Sequence, residues 1–315
     1  MVVFIVLFFF SSCNLSKNDT IDLSNTKINL QIERFDSVFY NATKKNLPEI
    51  KKQFPYFFPN ELTDSMALSK INNKDEQELF AETQKLYSNF SSVKSQLTDL
   101  FKHIAYYNKK FVAPKVITML TNIDYENRVI YADSLLLISL DVYLGKNHVF
   151  YKDYPNYIKE NNTKSHIVVD VANAIITKQM PRNDDRTFLG KIIHEGKKMY
   201  LLDVYLPSIS EKEKIGYQQD KLTWAKVNEE QIWMYFIEKN LLFNTDSSLN
   251  SRFLETAPFS KFYIEQDKLS PGKIGFWLGW QMVKSYMKQN NVSLQELLNK
   301  STIDIYKNSK YKPKK

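Results

Sequence analysis

Seven glycines are spread over 315 residues, and that scarcity is the tightest limit on the fold. Sandwiches, propellers and glycine-rich nucleotide folds need many positive-φ turns, which glycine adopts at little cost. No GxGxxG occurs, nor any phosphate-cradling P-loop. Long helices joined by Asn, Asp and Pro turns are the better expectation. Hydrophobic residues make up 43% of the chain and aromatics 14%, enough for a substantial core. No apolar run approaches the ~20 residues of a membrane-spanning helix, which argues against a polytopic membrane protein.

Forty-three basic side chains against 35 acidic ones give a net charge of +8. The lysines are scattered and no single tract interleaves aromatics with arginine, so no nucleic-acid partner is expected. A solvated, Lys-rich surface with weak affinity for anionic lipid fits the pattern.

Residues 1–10 (MVVFIVLFFF) form an unbroken apolar segment that ends in Ser11, Ser12 and Cys13. Such a segment followed by small residues marks a secretory signal and is too short to span a bilayer. The small residues ahead of the cysteine resemble a bacterial lipobox, with Phe10 where leucine is usual. That resemblance implies cleavage before Cys13 and diacylation of its sulfur. Cys13 is the only cysteine, so no internal disulfide can form. The expectation is a signal peptide over residues 1–12, a lipidated polar tether over 13–26 and one globular domain over 27–315. The partner implied for Cys13 is a membrane, with the domain facing the periplasm.

Residues 27–34 (KINLQIER) alternate apolar and polar positions and predict a strand. Residues 46–58 hold the aromatic run FPYFF, and residues 75–107 carry helical apolar spacing. After Pro114, residues 115–120, 128–132 and 135–140 predict three strands of a small sheet, with Asn122 and Asp124 in a turn. Helices are predicted over 165–179, 185–206 and 220–242. A fourth runs from Ser270 as N-cap, with Pro271 at the first helical position, to about Lys288. Gly275 and Gly279, four apart, would allow a neighbouring helix to come close. Sheet first and helices after make this an α+β domain.

Signals for catalysis are weak. His194-Glu195 begins an HExxH-like string, but Lys198 stands at the second histidine position and cannot bind zinc while protonated. Glu195 shares a stripe with Phe188, Ile192 and Met199, so a structural ion pair is the simpler role. His166, Asp170 and Asn173 lie near one face of the preceding helix; His166 and Asp170 read as an ordinary i,i+4 pair. Glu229 falls on the stripe of Ala225, Ile232 and Phe236 and reads as a satisfied interior carboxylate. The histidines are His103, His148, His166 and His194, and no G-x-S-x-G nucleophile elbow accompanies them.

Several long strings resemble the gliding motility lipoprotein GldB family: IERFD (32–36), FVAPKVITML (111–120), DYENRVIYADSLLLISLDVYLG (124–145), EGKKMYLLDVYLP (195–207), NEEQIWMYFIE (228–238) and APFSKFYIEQDKLSPGKIGFWLGWQMVKSYM (257–287). The resemblance runs from about residue 28 to the carboxyl terminus. It implies a lipid-anchored envelope protein of gliding bacteria with envelope protein partners in the motility machinery. A remoter similarity is to predicted zinc metallopeptidases of the gluzincin type, which implies a zincin-like fold. Its two ligand histidines would fall at Val169 and Asn173, its catalytic glutamate at Asp170 and its third ligand at Glu195. Val169 cannot bind zinc and Asn173 is a poor ligand beside imidazole. The expected function is therefore a non-catalytic zincin-like scaffold without a cofactor. Two alternatives stand beside it: an active metallopeptidase using His166, Asp170 and Glu195 as metal ligands, and a lipoprotein that binds peptide or glycan.

Overall fold

A computed structural model describes residues 21–313. The signal segment, Cys13 and the first part of the tether lie outside the described residues.

The sheet has strand order β1-β2-β4-β3, where β1 is Ile32–Arg34, β2 Lys115–Met119, β3 Val129–Ala132 and β4 Leu135–Ser139. β2 pairs in parallel with β1 and β4, and β3 closes the far edge antiparallel to β4. Only three residues of the predicted 27–34 strand pair. In the register Ile32↔Val116 the residue opposite Leu30 is Pro114, which has no N–H to extend the ladder.

A parallel pair needs a crossover. Between β1 and β2 it consists of α1 (Phe35–Tyr40), α2 (Leu47–Gln53), α3 (Asp64–Ile71), α4 (Lys74–Tyr87) and α5 (Ser91–Tyr107). Asn73 caps α4 by accepting from the Asp75 and Glu76 amides, and Thr63 caps α3. The aromatic run closes this half of the core. Phe35 stacks on Phe57 at 4.1 Å between centroids and meets Phe54 at 5.1 Å. Beneath it Asp36, fully buried, takes two bonds from Arg34 (2.9 and 2.7 Å), one from Gln84 at 3.0 Å and one from the Thr118 hydroxyl. One carboxylate thus joins β1, α1, α4 and β2.

After the sheet come α6 (Asn156–Lys159), α7 (Ile167–Gln179), α8 (Phe188–Tyr205), α9 (Glu211–Ile215), α10 (Gln219–Val227), α11 (Glu229–Glu238), α12 (Ser248–Phe253), α13 (Ile274–Gln289), α14 (Leu294–Asn299) and α15 (Thr302–Asn308). The helix predicted over 220–242 is two helices. Asn228 stands between them, its side-chain amide and its backbone N–H both donating to the Trp224 carbonyl, at 2.8 and 3.0 Å. The predicted start of α13 is also displaced. Ser270 and Pro271 are held in a buried junction, where the Ser260 amide donates to Ser270 Oγ at 3.0 Å and its hydroxyl to the Pro271 carbonyl at 2.7 Å. The N-cap is instead Lys273, with φ 53° and ψ 34° in the left-handed region.

α8 and α13 touch at the level of backbone. A Cβ added at Gly279 would lie 1.8 Å from the Ile192 carbonyl oxygen, and one at Gly196 would lie 2.3 Å from Gly279. The expected close approach is therefore made by Gly279, with Gly196 as its counterpart. α7 packs on β3, α5 and α8. Residues from Phe35 to Ile305 contribute to a single buried hydrophobic cluster.

Gly279→Ala should destabilise the protein by about 3 kcal/mol or more, because the obstacle is backbone and cannot rotate away. Urea unfolding monitored by circular dichroism measures this; a midpoint equal to that of the wild type would show that the helices separate freely.

Candidate functional site

Three residues of the α7 region face one open cleft of about 670 Å3: His166, Asp170 and Asn173, at i, i+4 and i+7. The opposite walls come from the turn before β3 (Tyr125, Arg128), from α6, from the end of α9 and from the junction that precedes α13 (Pro271, Lys273). α7 owes this placement to its other faces. Val168, Val169, Val171, Ala172, Ile175 and Ile176 are all buried, leaving one polar stripe to meet solvent.

Asp170 is the most connected group in the cleft. Its Oδ2 accepts from the Tyr143 hydroxyl at 2.7 Å and lies 3.4 Å from Arg128 Nη1. Its Oδ1 lies 3.5 Å from His166 Nε2, and His166 Nδ1 faces Glu213 Oε1 at 3.1 Å. Glu213, His166, Asp170 and Tyr143 thus form one chain of polar contacts. The bond to His166 holds the Glu213 carboxyl below its ordinary range, against burial. Burial, then the Asp170 charge, pushes the Tyr143 hydroxyl well above its ordinary value, so it remains a donor. His166 is only 4% exposed and Asp170 partly exposed, so the pair sits in the cleft wall rather than on an outer helix face.

The remaining candidates are placed elsewhere. Val169 is sealed in the core and does not line the cleft. Glu195 is half-buried and pairs with Lys198 at 3.0 Å, the structural ion pair that its stripe suggested. Lys198, the residue that breaks the HExxH string, is thus the counter-ion of that string's own glutamate. Glu229 is buried and accepts from the Tyr311 hydroxyl at 2.8 Å. Among the described residues no three His, Cys, Asp or Glu side chains stand close enough to share a metal ion. His166 and Asp170 come together, but Glu195 does not complete a ligand set with them.

Three residues of the site escaped the sequence reading: Arg128 and Lys273, which line the cleft, and Tyr143, buried behind Asp170. Arg128 ends the turn before β3, at the edge of the predicted 128–132 strand, and Tyr143 follows a single 3-10 turn after β4, so no periodic signal singles out either. Lys273 was hidden by the assumption that helix α13 starts at Pro271. Its Nζ lies 5.6 Å from the Phe276 ring centroid, and burial holds its ammonium below the ordinary lysine range, against the charges of Asp170 and Glu195.

The gliding motility protein GldB family matches residues 16–313, nearly the whole chain. The chain belongs to that family. Membership places it among gliding-motility-associated lipoproteins of the cell envelope. Among the described residues no helix is long and apolar enough to cross a membrane. No curated protein and no solved structure matches this GldB-family chain.

His194 provides a readout of the HExxH-like segment. Burial, then the charges of Lys198 and Lys197, hold its imidazole down to about 4. The unfolded chain takes up this proton near 6.5 and the folded chain only near 4, so stability falls as pH drops through that window. Asp141 acts with the opposite sign: burial, against the amides of Thr121 and Ile123, raises it to about 6, and its contribution is lost as pH rises through that value. The difference between wild type and His194→Gln isolates the histidine. The variant should gain on the wild type between about pH 6.5 and 4, read as urea midpoints; parallel curves would show that His194 protonates freely in the fold.

Proposed function

We propose that this GldB-family chain is a lipid-anchored envelope protein that supports the gliding machinery as a non-catalytic, zincin-like scaffold. Cys13 carries the lipid, and the cleft is kept for binding. The order of elements supports the scaffold reading. A small sheet is followed by the 140–145 turn, by helix α7 at the HExxH position, by α8 with its Glu195-Gly196 pair and then by α13, with α7 packed on α8.

One observation carries the loss of chemistry. At the position of a catalytic carboxylate, Asp170 is already occupied by Tyr143, His166 and Arg128. A zinc hydrolase needs three protein ligands and a carboxylate free to take a proton from water. Here the first ligand position is a core valine, the second is an amide and the third is spent on Lys198. The residues present do not fit a zinc ion. The binding role is favoured by the cleft itself, which is open, has tyrosines in its walls and has a volume within the roughly 300–1,000 Å3 of ligand sites.

Glu195→Gln removes the carboxylate that a gluzincin could not work without, and cells carrying it should still spread over surfaces. Lost spreading at normal protein level, or one zinc per chain in protein purified without chelators, would overturn the reading. Cys13→Ser should shift the protein from the detergent phase to the aqueous phase on phase separation, since the sequence has no second cysteine to take the lipid. Unchanged partitioning would remove the anchor from Cys13.

A further inference from the structure

The charges that line the cleft are nearly all satisfied by the protein. Lys214 pairs with Asp203 at 2.9 Å, and Glu160 pairs with Lys146 at 2.7 Å. Lys221 donates to the carbonyls of Lys268, Leu269 and Ser270 at 2.8, 3.1 and 3.0 Å. Among the described residues the Lys273 ammonium has no hydrogen bond or ion pair, only the Phe276 ring at 5.6 Å, and the Asn173 side-chain amide has no hydrogen bond either. Arg128 keeps only long contacts from its two terminal nitrogens, 3.4 Å to Asp170 and 3.3 Å to Asn162. Burial depresses the Lys273 ammonium, as a cation does when no partner replaces its water.

The backbone makes the same point independently. Lys273 adopts φ 53°, a conformation that costs an L-residue energy glycine would not spend. Gly272 stands immediately before it, where a Cβ would lie 2.2 Å from the Ala257 carbonyl oxygen. At this strained corner the chain carries a lysine whose side chain lines the cleft. It does so at the amino end of the 16-residue helix α13, where partial positive charge also favours an anion.

We propose that the cleft binds a carboxylate of a peptide segment through the Lys273 ammonium, with the Asn173 amide and Arg128 lining the same cleft as further donors. This rests on the reading of the cleft as a binding site. One unpaired ammonium matches one negative charge, and Asp170, Glu126 and Glu160 in the same walls would repel a doubly charged phosphate. The flat surfaces of Tyr125, Tyr157, Pro258 and Pro271 suit the backbone and apolar side chains that flank a carboxylate in a peptide.

Three pools of random acetylated hexapeptides separate the sources of the carboxylate: a free carboxyl terminus without acidic residues, an amidated terminus with Asp or Glu, and an amidated terminus without acids. Each is passed over the immobilised full chain, and retained peptides are quantified by mass spectrometry. At least one carboxylate pool should be retained about tenfold or more above the acid-free amides, the ratio expected of a charge-assisted contact. Lys273→Gly should abolish that preference while melting at or above the wild-type temperature, because glycine relieves the left-handed strain. Lys273→Arg should keep the preference. Equal retention of all three pools, or an unchanged preference in Lys273→Gly, overturns the carboxylate anchor and leaves the binding reading standing. No retention of any pool overturns both. Peptides recovered cut would overturn the non-catalytic reading, while the ratio still judges the anchor.

Discussion

The contact between Gly196 and Gly279 is the interaction on which the candidate site depends. Two helices that meet backbone to backbone leave no side chain to adjust between them, so the axis of α13 is fixed against α8. α8 in turn lies on α7, the helix that carries Asp170 and Asn173. The N-cap of α13, Lys273, borders the cleft, so the same contact decides where it sits relative to Asp170. Polar fastening follows around it. Asp203 on α8 and Glu211 on α9 take Lys214, Lys226 and Lys284 at 2.7 to 3.4 Å, and the Trp280 indole donates to Asp203 at 2.7 Å. Burial opposes the charge on Glu211, but its two lysines outweigh that and hold the carboxyl at about 2. Glu211 therefore stays ionised at any ordinary pH, and its pairs with Lys226 and Lys284 join α9 and α10 to the glycine-locked pair.

Elsewhere the chain handles buried charge consistently. Asp36 has Arg34, Glu195 has Lys198, Glu229 has Tyr311, and Asp141 accepts the amides of Thr121 and Ile123. Each is an acid made tolerable by partners, because removing one partner from such a pair would leave an uncompensated charge. Lys273 departs from that pattern, and it combines missing partners with a strained backbone. Strain of this kind persists only where the surroundings over-determine it. The buried Ser260–Ser270–Pro271 junction and the start of α13 supply that constraint here.

Much of the fold was legible in local sequence. The strands from 115 to 139 follow short β-rich runs between turn residues, and the helices α4, α5, α7 and α8 follow apolar spacing near 3.6, which survives because each helix buries the face its own residues define. The readings that failed did so at boundaries. Residues 27–31 alternate like a strand but meet a proline-terminated partner. Asn228 falls between two helices that share one apolar period, and Ser270-Pro271 carries a helix-start signal that a buried hydrogen-bonded junction uses instead. The candidate site was legible only in part. That Val169 and Lys198 cannot serve a zinc ion is chemistry visible in a letter, whereas the unpaired ammonium of Lys273 is not.

By itself the sequence determined the helical bias, through seven glycines and sustained 3.6-residue periods, and it determined the family, through strings long enough to be distinctive. It also determined what chemistry the HExxH-like positions lack, since ligand capacity belongs to the side chain wherever it lies. Only the tertiary structure decided which charges are spent and which are left over. Asp170 meets Tyr143 and Arg128 across 27 and 42 residues, and Lys221 meets its carbonyls across 47 to 49. Such pairings arise from distant segments packing together, and a local period holds no record of them.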